Sequence, residues 1–306
     1  MKILKTLDAH PLPPRSTSVA IGCFDGVHLA HRQILERVIR DKQTGLSPAV
    51  FTFDQNPDDG GKGMPLLMTT EEKLSLFAEL GIEVVFLMQF QSVREMSPED
   101  FVRTVLKTQC GAKNVCCGYN FHFGKGGSGS AETLRQLCRA EKMNVTVLSE
   151  LDLLEAPVSS TRIRGLIQSG DLDTANVLLG RPFSFKAPVV HGRKLGRTIG
   201  VPTMNQPLAA GCIHPKNGVY VSSVLLDGKR YGSVTNIGIK PTVGGEQVAA
   251  SETWISGFSG DLYGKTVRVF LHHYLRQEQK FPTLDVLRDQ IQKDQQAALQ
   301  WQRDHL

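Results

Sequence analysis

The sequence predicts an α/β chain in two parts: a parallel sheet flanked by helices, then a small antiparallel β-barrel followed by a C-terminal helix. Three observations carry this. Strand-length apolar runs alternate with helical patterns over the first half. The pattern changes around Gly180-Arg181-Pro182. Beyond it come short strands separated by turns, with one helix at the end. A length of 306 residues suits two domains of ~150 residues, and the change of pattern puts the expected boundary between residues 182 and 183.

The elements follow in order. Val19 to Cys23 reads as a buried strand, and Leu29 to Asp41 as a helix with Ile34, Leu35, Val38 and Ile39 on one face. Ala49 to Phe53 is a second strand. Thr69 and Glu72 form a capping box for a helix that ends at Gly81. Val84 to Met88 is a third strand. Ser97, Pro98 and Asp100 open a helix with Phe101, Val102, Val105 and Leu106 inward. Asn114 to Cys117 is a fourth strand, followed by a glycine-rich loop, a helix around Leu134 to Glu141 and a strand at Val145 to Leu148. In the second half, Gly218 to Leu226 and Lys229 to Thr235 flank Asp227-Gly228, a two-residue hairpin signal. Val267, Val269 and Leu271 alternate, and a helix starts near Leu284 with Leu287 and Ile291 on its inner stripe.

Composition narrows the function. Hydrophobic residues make up 41% and charged residues 21%, which excludes a disordered chain, a collagen and a coiled coil. There is no run of ~18 uninterrupted apolar residues, so no membrane partner is expected. The segment Met1 to Asp8 lacks a long apolar core and carries an acid early. It does not read as a secretory signal, and a cytoplasmic location is expected. The net charge of +5 suits polyanionic small molecules such as nucleotides. No basic run is long enough for a nucleic-acid tail, so nucleic acid is not an expected partner. Six cysteines include no C-x-x-C pair, which removes the zinc and thioredoxin-like signatures. The sequence carries no signature of oligomeric state.

Two segments of the first half carry chemistry. Gly22-Cys23-Phe24-Asp25-Gly26-Val27-His28-Leu29-Ala30-His31 follows the first strand and opens the first helix. Backbone amides at a helix N-terminus favour phosphate, and Gly22 and Gly26 let it come close. His28 and His31, three apart, fall on one side and can donate to phosphoryl oxygens as charge moves. A zinc pair or two surface histidines are the plain alternatives. Val158-Ser159-Ser160-Thr161-Arg162-Ile163-Arg164 offers hydroxyls that cap a helix and a guanidinium fork for phosphate. Alone it is a capped helix. Joined to the first segment it describes a nucleotidyltransferase site, where one phosphate attacks the α-phosphorus of a nucleoside triphosphate and pyrophosphate leaves. A third loop, Gly118 to Gly126, presents Asn120 for a nucleotide or flavin edge, with Phe121 and Phe123 available for stacking. It reads equally as a loop with two core aromatics.

In the second half, His191 to Asn205 is rich in glycine and cations, among them Gly192, Lys194 and Gly196, which could cover ATP phosphates without matching P-loop spacing. Thr203 and Asn205 are two apart and face one side of an extended segment, where two neutral oxygens could hold Mg²⁺ beside ATP oxygens. As pattern alone, Pro-Thr-x-Asn is a turn. Ser251 to Ile255 reads as a strand start. Its Glu252 could take a proton from an attacking hydroxyl, although a lone glutamate on a strand edge is more often a solvated side chain.

Taken together, the chain resembles the prokaryotic bifunctional riboflavin kinase/FAD synthetase family. The resemblance rests on Gly22 to His31, Thr69 to Leu74, Gly118 to Gly124, Ser159 to Arg164, Leu179 to Pro182, Leu195 to Asn205, Asn236-Ile237-Gly238 with Pro241-Thr242, and Gly260 to Gly264, in matching order. It implies a Rossmann-like nucleotidyltransferase domain over 1–182 that transfers AMP from ATP to FMN, giving FAD and pyrophosphate. It implies a riboflavin kinase barrel over 183–306 that makes FMN from riboflavin and ATP. Carried onto this sequence, Glu252 is the kinase base, and Thr203 and Asn205 are the Mg²⁺-and-phosphate pair. His28, His31, Asn120 and Arg162 serve adenylyl transfer, with Ser160 and Thr161 near the triphosphate and Gly22, Phe24 and Gly26 in the nucleotide loop. The sequence departs from the family pattern at Ala30, Asn56, Lys240, Trp254 and Gly257, where glycine, histidine, arginine, histidine and aspartate are usual. None of these carries the assigned chemistry. Two other readings stay open at this level: a chain with one live activity, and a flavin-binding regulator without turnover.

Overall fold

The computed structural model describes residues 1–6, 16–54, 64–192, 200–241 and 247–305. Contacts divide the chain into two units, Met1–Ser160 and Thr161–Leu306.

The first unit is built on six parallel strands: β1 (Lys2–Leu4), β2 (Thr17–Ile21), β3 (Ser47–Phe53), β4 (Val84–Met88), β5 (Ala112–Gly118) and β6 (Asn144–Leu148). Their order in the sheet is β1-β4-β3-β2-β5-β6. Successive residues of β2 enter different cores. Val19 and Ile21 join one apolar cluster with Phe101, Val105 and Leu134, while Ala20 joins another with Leu35, Val38 and Phe77. Both faces are therefore covered, which is why these strands read as near-continuous apolar runs. Truncating a fully buried side chain such as Leu35 to alanine costs about 2–5 kcal/mol.

The helices start and stop where local chemistry directs. Helix α1 (Leu29–Arg40) is capped at its N-terminus by His28 and ends at Asp41. Helix α2 (Thr70–Leu80) has the full Thr69/Glu72 capping box and stops at Gly81, whose φ of 98° suits only glycine readily. Ser97 caps α3 (Pro98–Asp100), which runs on as a π-helix over Phe101–Gln109. The apolar pattern expects an ordinary helix there, but it reports only which face is inward, not whether bonds span four residues or five. Helix α4 (Ala131–Ala140) begins at the Ser130 cap. The strand order turns at β2: β3 and β4 lie to one side, β5 and β6 to the other. Such a switch point opens a crevice beyond the carboxyl ends of β2 and β5. The loops after those strands are Gly22 to His28 and Tyr119 to Gly124.

A short hairpin, β7 (Asp152–Leu153) and β8 (Ala156–Pro157), leads to α5 (Ser160–Ser169). Helix α6 (Leu172–Leu179) is stapled to the barrel through Asn176, whose amide donates to the Leu271 and His272 carbonyls and accepts from the Phe183 N–H at 2.6 Å. This explains why contacts divide the chain at residue 160, whereas the sequence pattern changes at 182. The strands β9 (Phe183–Pro188), β10 (Met204–Pro207), β11 (Gly218–Leu226), β12 (Lys229–Pro241), β13 (Gln247–Ile255) and β14 (Thr266–Arg276) form an antiparallel sheet in the order β10-β13-β12-β11-β14-β9. Its outer strands meet. The Val190 N–H donates to the Asn205 carbonyl at 2.8 Å, and the buried Gln206 amide donates to the Ala187 and Val267 carbonyls at 2.6 and 2.8 Å. The sheet thus curls into a nearly closed barrel, as expected.

Tyr220, Val221, Val224, Ile237, Val269 and Leu271 are buried in this second unit. A chain of buried hydroxyls crosses it, from Ser233 to Ser222 to Thr235 to Thr253, at 2.7, 2.7 and 2.9 Å. The β11–β12 hairpin turns on Asp227 and Gly228, with φ of 48° and 78°. Helix α7 (Leu284–His305) lies on the barrel, tied by an Arg276–Asp294 fork at 2.9 and 2.6 Å and by the Gln302 amide on the Ser222 carbonyl at 2.7 Å.

Candidate functional site

Two sites emerge, one in each unit. The first is made of backbone. After β2 the chain turns through Phe24, Gly26 and Val27, with φ of 54°, 84° and 42°. A β-branched residue such as Val27 rarely holds a positive φ, and strain of this kind clusters at ligand clamps. The loop is held from several sides. Asp25 accepts the Leu67 N–H at 2.9 Å, and Ser160 Oγ donates to the Asp25 carbonyl at 2.9 Å. Ser160, the last residue of the first unit, thus ties the start of the second expected phosphate-binding segment to this turn. Thr161, exposed, and Arg162, half-buried, follow in the first turn of α5.

His28 is buried and its Nδ1 accepts the His31 N–H at 3.4 Å. The two imidazoles stack with centroids 3.6 Å apart and planes 16° apart, on one side as the spacing predicts. Phe24 backs His31 edge-on at 5.3 Å. The ring of Phe24 is wholly buried against Phe77, so it serves the core, and only its backbone is left for a ligand. Gly22 sits against that ring; a Cβ there would stand 3.3 Å from it. Ala30 is half-buried in the first turn of α1.

Lys73, within the Thr69 to Leu74 segment, has a clear structural job. Its buried ammonium donates to the Cys23 carbonyl at 3.2 Å and the Phe53 carbonyl at 2.8 Å, joining the ends of β2 and β3 beneath the loop. Burial lowers its pKa and raises that of the Cys23 thiol beside it. In the third loop, Asn120 is exposed and Phe121 half-buried, while Phe123 belongs to the core. The two rings stack at 5.6 Å. Half-buried Phe53 and Phe90, packed edge-on at 5.3 Å, end β3 and follow β4. The sequence pattern alone does not mark them, although aromatic residues at strand carboxyl ends are a signal of such a crevice.

The second site is made of side chains set by strand register. Glu252 does not start its strand, as the sequence reading expects, and does not lie on an edge. It lies within β13, between β10 and β12. Asn205 of β10 and Asn236 of β12 are its cross-strand partners. Burial alternates along both strands, so Thr203 and Asn205 share the more open face, as do Glu252 and Trp254. A cavity of about 300 Å³ is lined by Thr203, Asn236, Glu252, Trp254, Phe281 and Leu287 among others. A second, of about 290 Å³, is lined by Pro202, Thr203, Phe258, Asp261, Leu262 and Tyr263 among others. Thr203 stands in both walls.

Gly192 faces this site. A Cβ there would fall 2.6 Å from the Asn205 amide, so only glycine leaves that amide in place. Lys194 and Gly196 lie outside the described residues, as does Asn56. The side chain of Lys240 is likewise not described, and Gly257 holds a turn at φ 64°. Among the described residues no three His, Cys, Asp or Glu side chains gather as a metal cage. The neutral oxygens of Thr203 and Asn205 suit a hard cation that takes its other ligands from phosphate and water.

Comparison with known proteins agrees in both halves. A family model for FAD synthetase matches residues 11–162, and one for riboflavin kinase matches residues 179–302. The bifunctional riboflavin kinase/FMN adenylyltransferase of Bacillus subtilis is 33% identical over 293 residues, covering 92% of each chain. That of Pseudomonas fluorescens is 34% identical, covering 94% of each, and that of Escherichia coli K12 is 32% identical, covering 97% of each. A crystal structure named as a macrolide-efflux protein from Streptococcus pneumoniae superposes with a TM-score of 0.88 at 28% identity, covering 98% of this chain and 100% of that one. No helix among the described residues of this chain is long and apolar enough to cross a membrane.

Proposed function

The chain belongs to the bifunctional riboflavin kinase/FMN adenylyltransferase family, and from that premise we propose which residues carry each reaction. It phosphorylates riboflavin with ATP to FMN, then adenylylates FMN with a second ATP to FAD and pyrophosphate. We assign the second reaction to residues 1–182 and the first to 183–306.

In the kinase step, riboflavin occupies the cavity bordered by Glu252, and ATP the one bordered by Tyr263. The observation that carries this reading is Thr203, which borders both, so the two substrates meet beside it. The riboflavin 5′-oxygen attacks the γ-phosphorus, the bond to the β-phosphate oxygen breaks, and Glu252 receives the hydroxyl proton. Thr203 and Asn205 hold the phosphates and a magnesium ion, with Gly192 keeping the Asn205 amide free to do so. That ion, when bound, neutralises phosphate charge.

In the adenylyl step, an FMN phosphate oxygen attacks the α-phosphorus of ATP and pyrophosphate leaves. His28 and His31 donate to phosphoryl oxygens, and the Gly22–Gly26 turn supplies backbone donors. Ser160, Thr161 and Arg162 serve the triphosphate, and Asn120 with Phe121 serves the flavin. No covalent intermediate is needed; positioning and charge stabilisation suffice. A cytoplasmic location fits a chain in which Cys23, Cys110, Cys116, Cys117 and Cys138 are free thiols.

The test is substitution of Glu252→Gln in the full chain, with flavins separated by chromatography. Riboflavin phosphorylation is expected to fall roughly 10²–10⁴-fold, while added FMN is still converted to FAD. Unchanged FMN formation would overturn the assignment of the base.

A further inference from the structure

One residue that lines the flavin cavity, Asn236, carries a polar atom that the steps above leave unused. The Asn236 Nδ2 donates to Glu278 Oε1 at 2.9 Å. A carboxylate oxygen only accepts, so this contact fixes which end of the amide is nitrogen. The other end, Oδ1, is buried and has no hydrogen-bond partner. Asn236 and Glu278 both line the cavity that Glu252 lines. Gly238 makes room for the carboxylate; a Cβ there would fall 2.5 Å from Glu278 Oε1.

A buried acceptor without a donor is costly, so a fixed one on a residue that lines a ligand cavity marks where a donor belongs. The cavity's occupant must bring it. An isoalloxazine ring has one N–H, whereas the sugar-alcohol chain has several O–H groups. It is the chain whose end must reach Glu252, the cross-strand partner of Asn236. We propose that Asn236, oriented by Glu278, selects flavins bearing a polyhydroxylated side chain by accepting a hydrogen bond from one of its secondary hydroxyls. This rests on the kinase reading above and deepens it: Glu252 acts on the terminal hydroxyl, and Asn236 reads the hydroxyls before it.

The experiment compares two substrates in the full-length enzyme with ATP. One is riboflavin. The other is the same ring carrying a 10-(5-hydroxypentyl) chain, which keeps the terminal hydroxyl and lacks the secondary ones. A site built around a substrate hydroxyl discriminates strongly against an analogue without it. Wild type is expected to prefer riboflavin in kcat/KM. Asn236→Leu should lower that preference by roughly 10- to 100-fold, through loss on riboflavin. Glu278→Ala, a change at an exposed residue, should lower it in the same direction by about 3- to 10-fold, because the amide is then free to turn. An equal loss on both substrates in both variants, or an undiminished preference, would overturn the proposal. A wild type that phosphorylates neither flavin would strike the kinase reading itself, and this inference with it.

Discussion

The two sites handle phosphate with opposite materials. The site in the first unit is a backbone turn: three consecutive-region residues at positive φ, a helix N-terminus, and a buried lysine bracing the strand ends beneath. The site in the second unit is a set of side chains whose places follow from strand pairing, with Asn205, Glu252 and Asn236 abreast on β10, β13 and β12. A turn of this kind announces itself in sequence, because glycines and capping residues stand next to one another. A register site does not, because its members are tens of residues apart and each looks ordinary alone.

The comparison can be broken most severely at the histidine pair. His31→Ala removes one of two stacked imidazoles from the proposed adenylyl site and should lower FAD formation from FMN by roughly 10²–10³-fold. Riboflavin phosphorylation by the same preparation should persist; loss of both would mean that the two sites are not independent. The converse change is Gly192→Ala. A methyl group 2.6 Å from the Asn205 amide must displace it, and roughly a 10-fold or greater loss of FMN formation is expected with FAD formation retained. Steady-state kinetics with riboflavin or FMN as the sole flavin separates the two.

The smallest effect sharpens the comparison by touching no chemistry. Asp41, beyond the far end of α1 from His28, accepts from Ser18 at 2.7 Å and Asn114 at 2.9 Å, and pairs with Arg37. Burial works to raise its pKa, but hydrogen bonds from Ser18, Asn114 and Arg37 outweigh this and hold it below the usual carboxylate range. A carboxyl lowered by folding stabilises the fold above its unfolded pKa of ~4 and ceases to do so as pH falls through the folded value. Asp41→Asn should therefore cost about 1–3 kcal/mol at neutral pH. In denaturant titrations the gap to wild type should narrow in acid below pH ~4.

How much the sequence discloses follows the same division. Local signals read true: the Thr69/Glu72 box, the stop at Gly81, the strand Val84–Met88, the Asp227-Gly228 turn and the helix start at Leu284. Pattern fails where structure depends on distant partners. Pro202-Thr203-Met204-Asn205 reads as a turn, yet Met204 and Asn205 open β10, which is a strand only because β13 pairs with it some fifty residues on. The β7–β8 hairpin is equally silent, since its turn places Leu154 and Glu155, not glycine, at φ of 54° and 60°. Asn236 had no visible role, because an amide's two ends are distinguished only once Glu278 is beside it.

The hydroxyl chain inside the barrel gives the reacting carboxylate a second duty. Thr253 ends that chain, and Glu252 stands beside it on the opposite face. Sliding β13 by one position would exchange them, driving an acid onto the buried face, among neutral hydroxyls and apolar side chains. Leaving a carboxylate there costs several kcal/mol, or else it takes up a proton. The residue proposed to accept a proton during turnover thus also polices strand alignment as the barrel assembles, rejecting the mis-threaded arrangement before any substrate arrives.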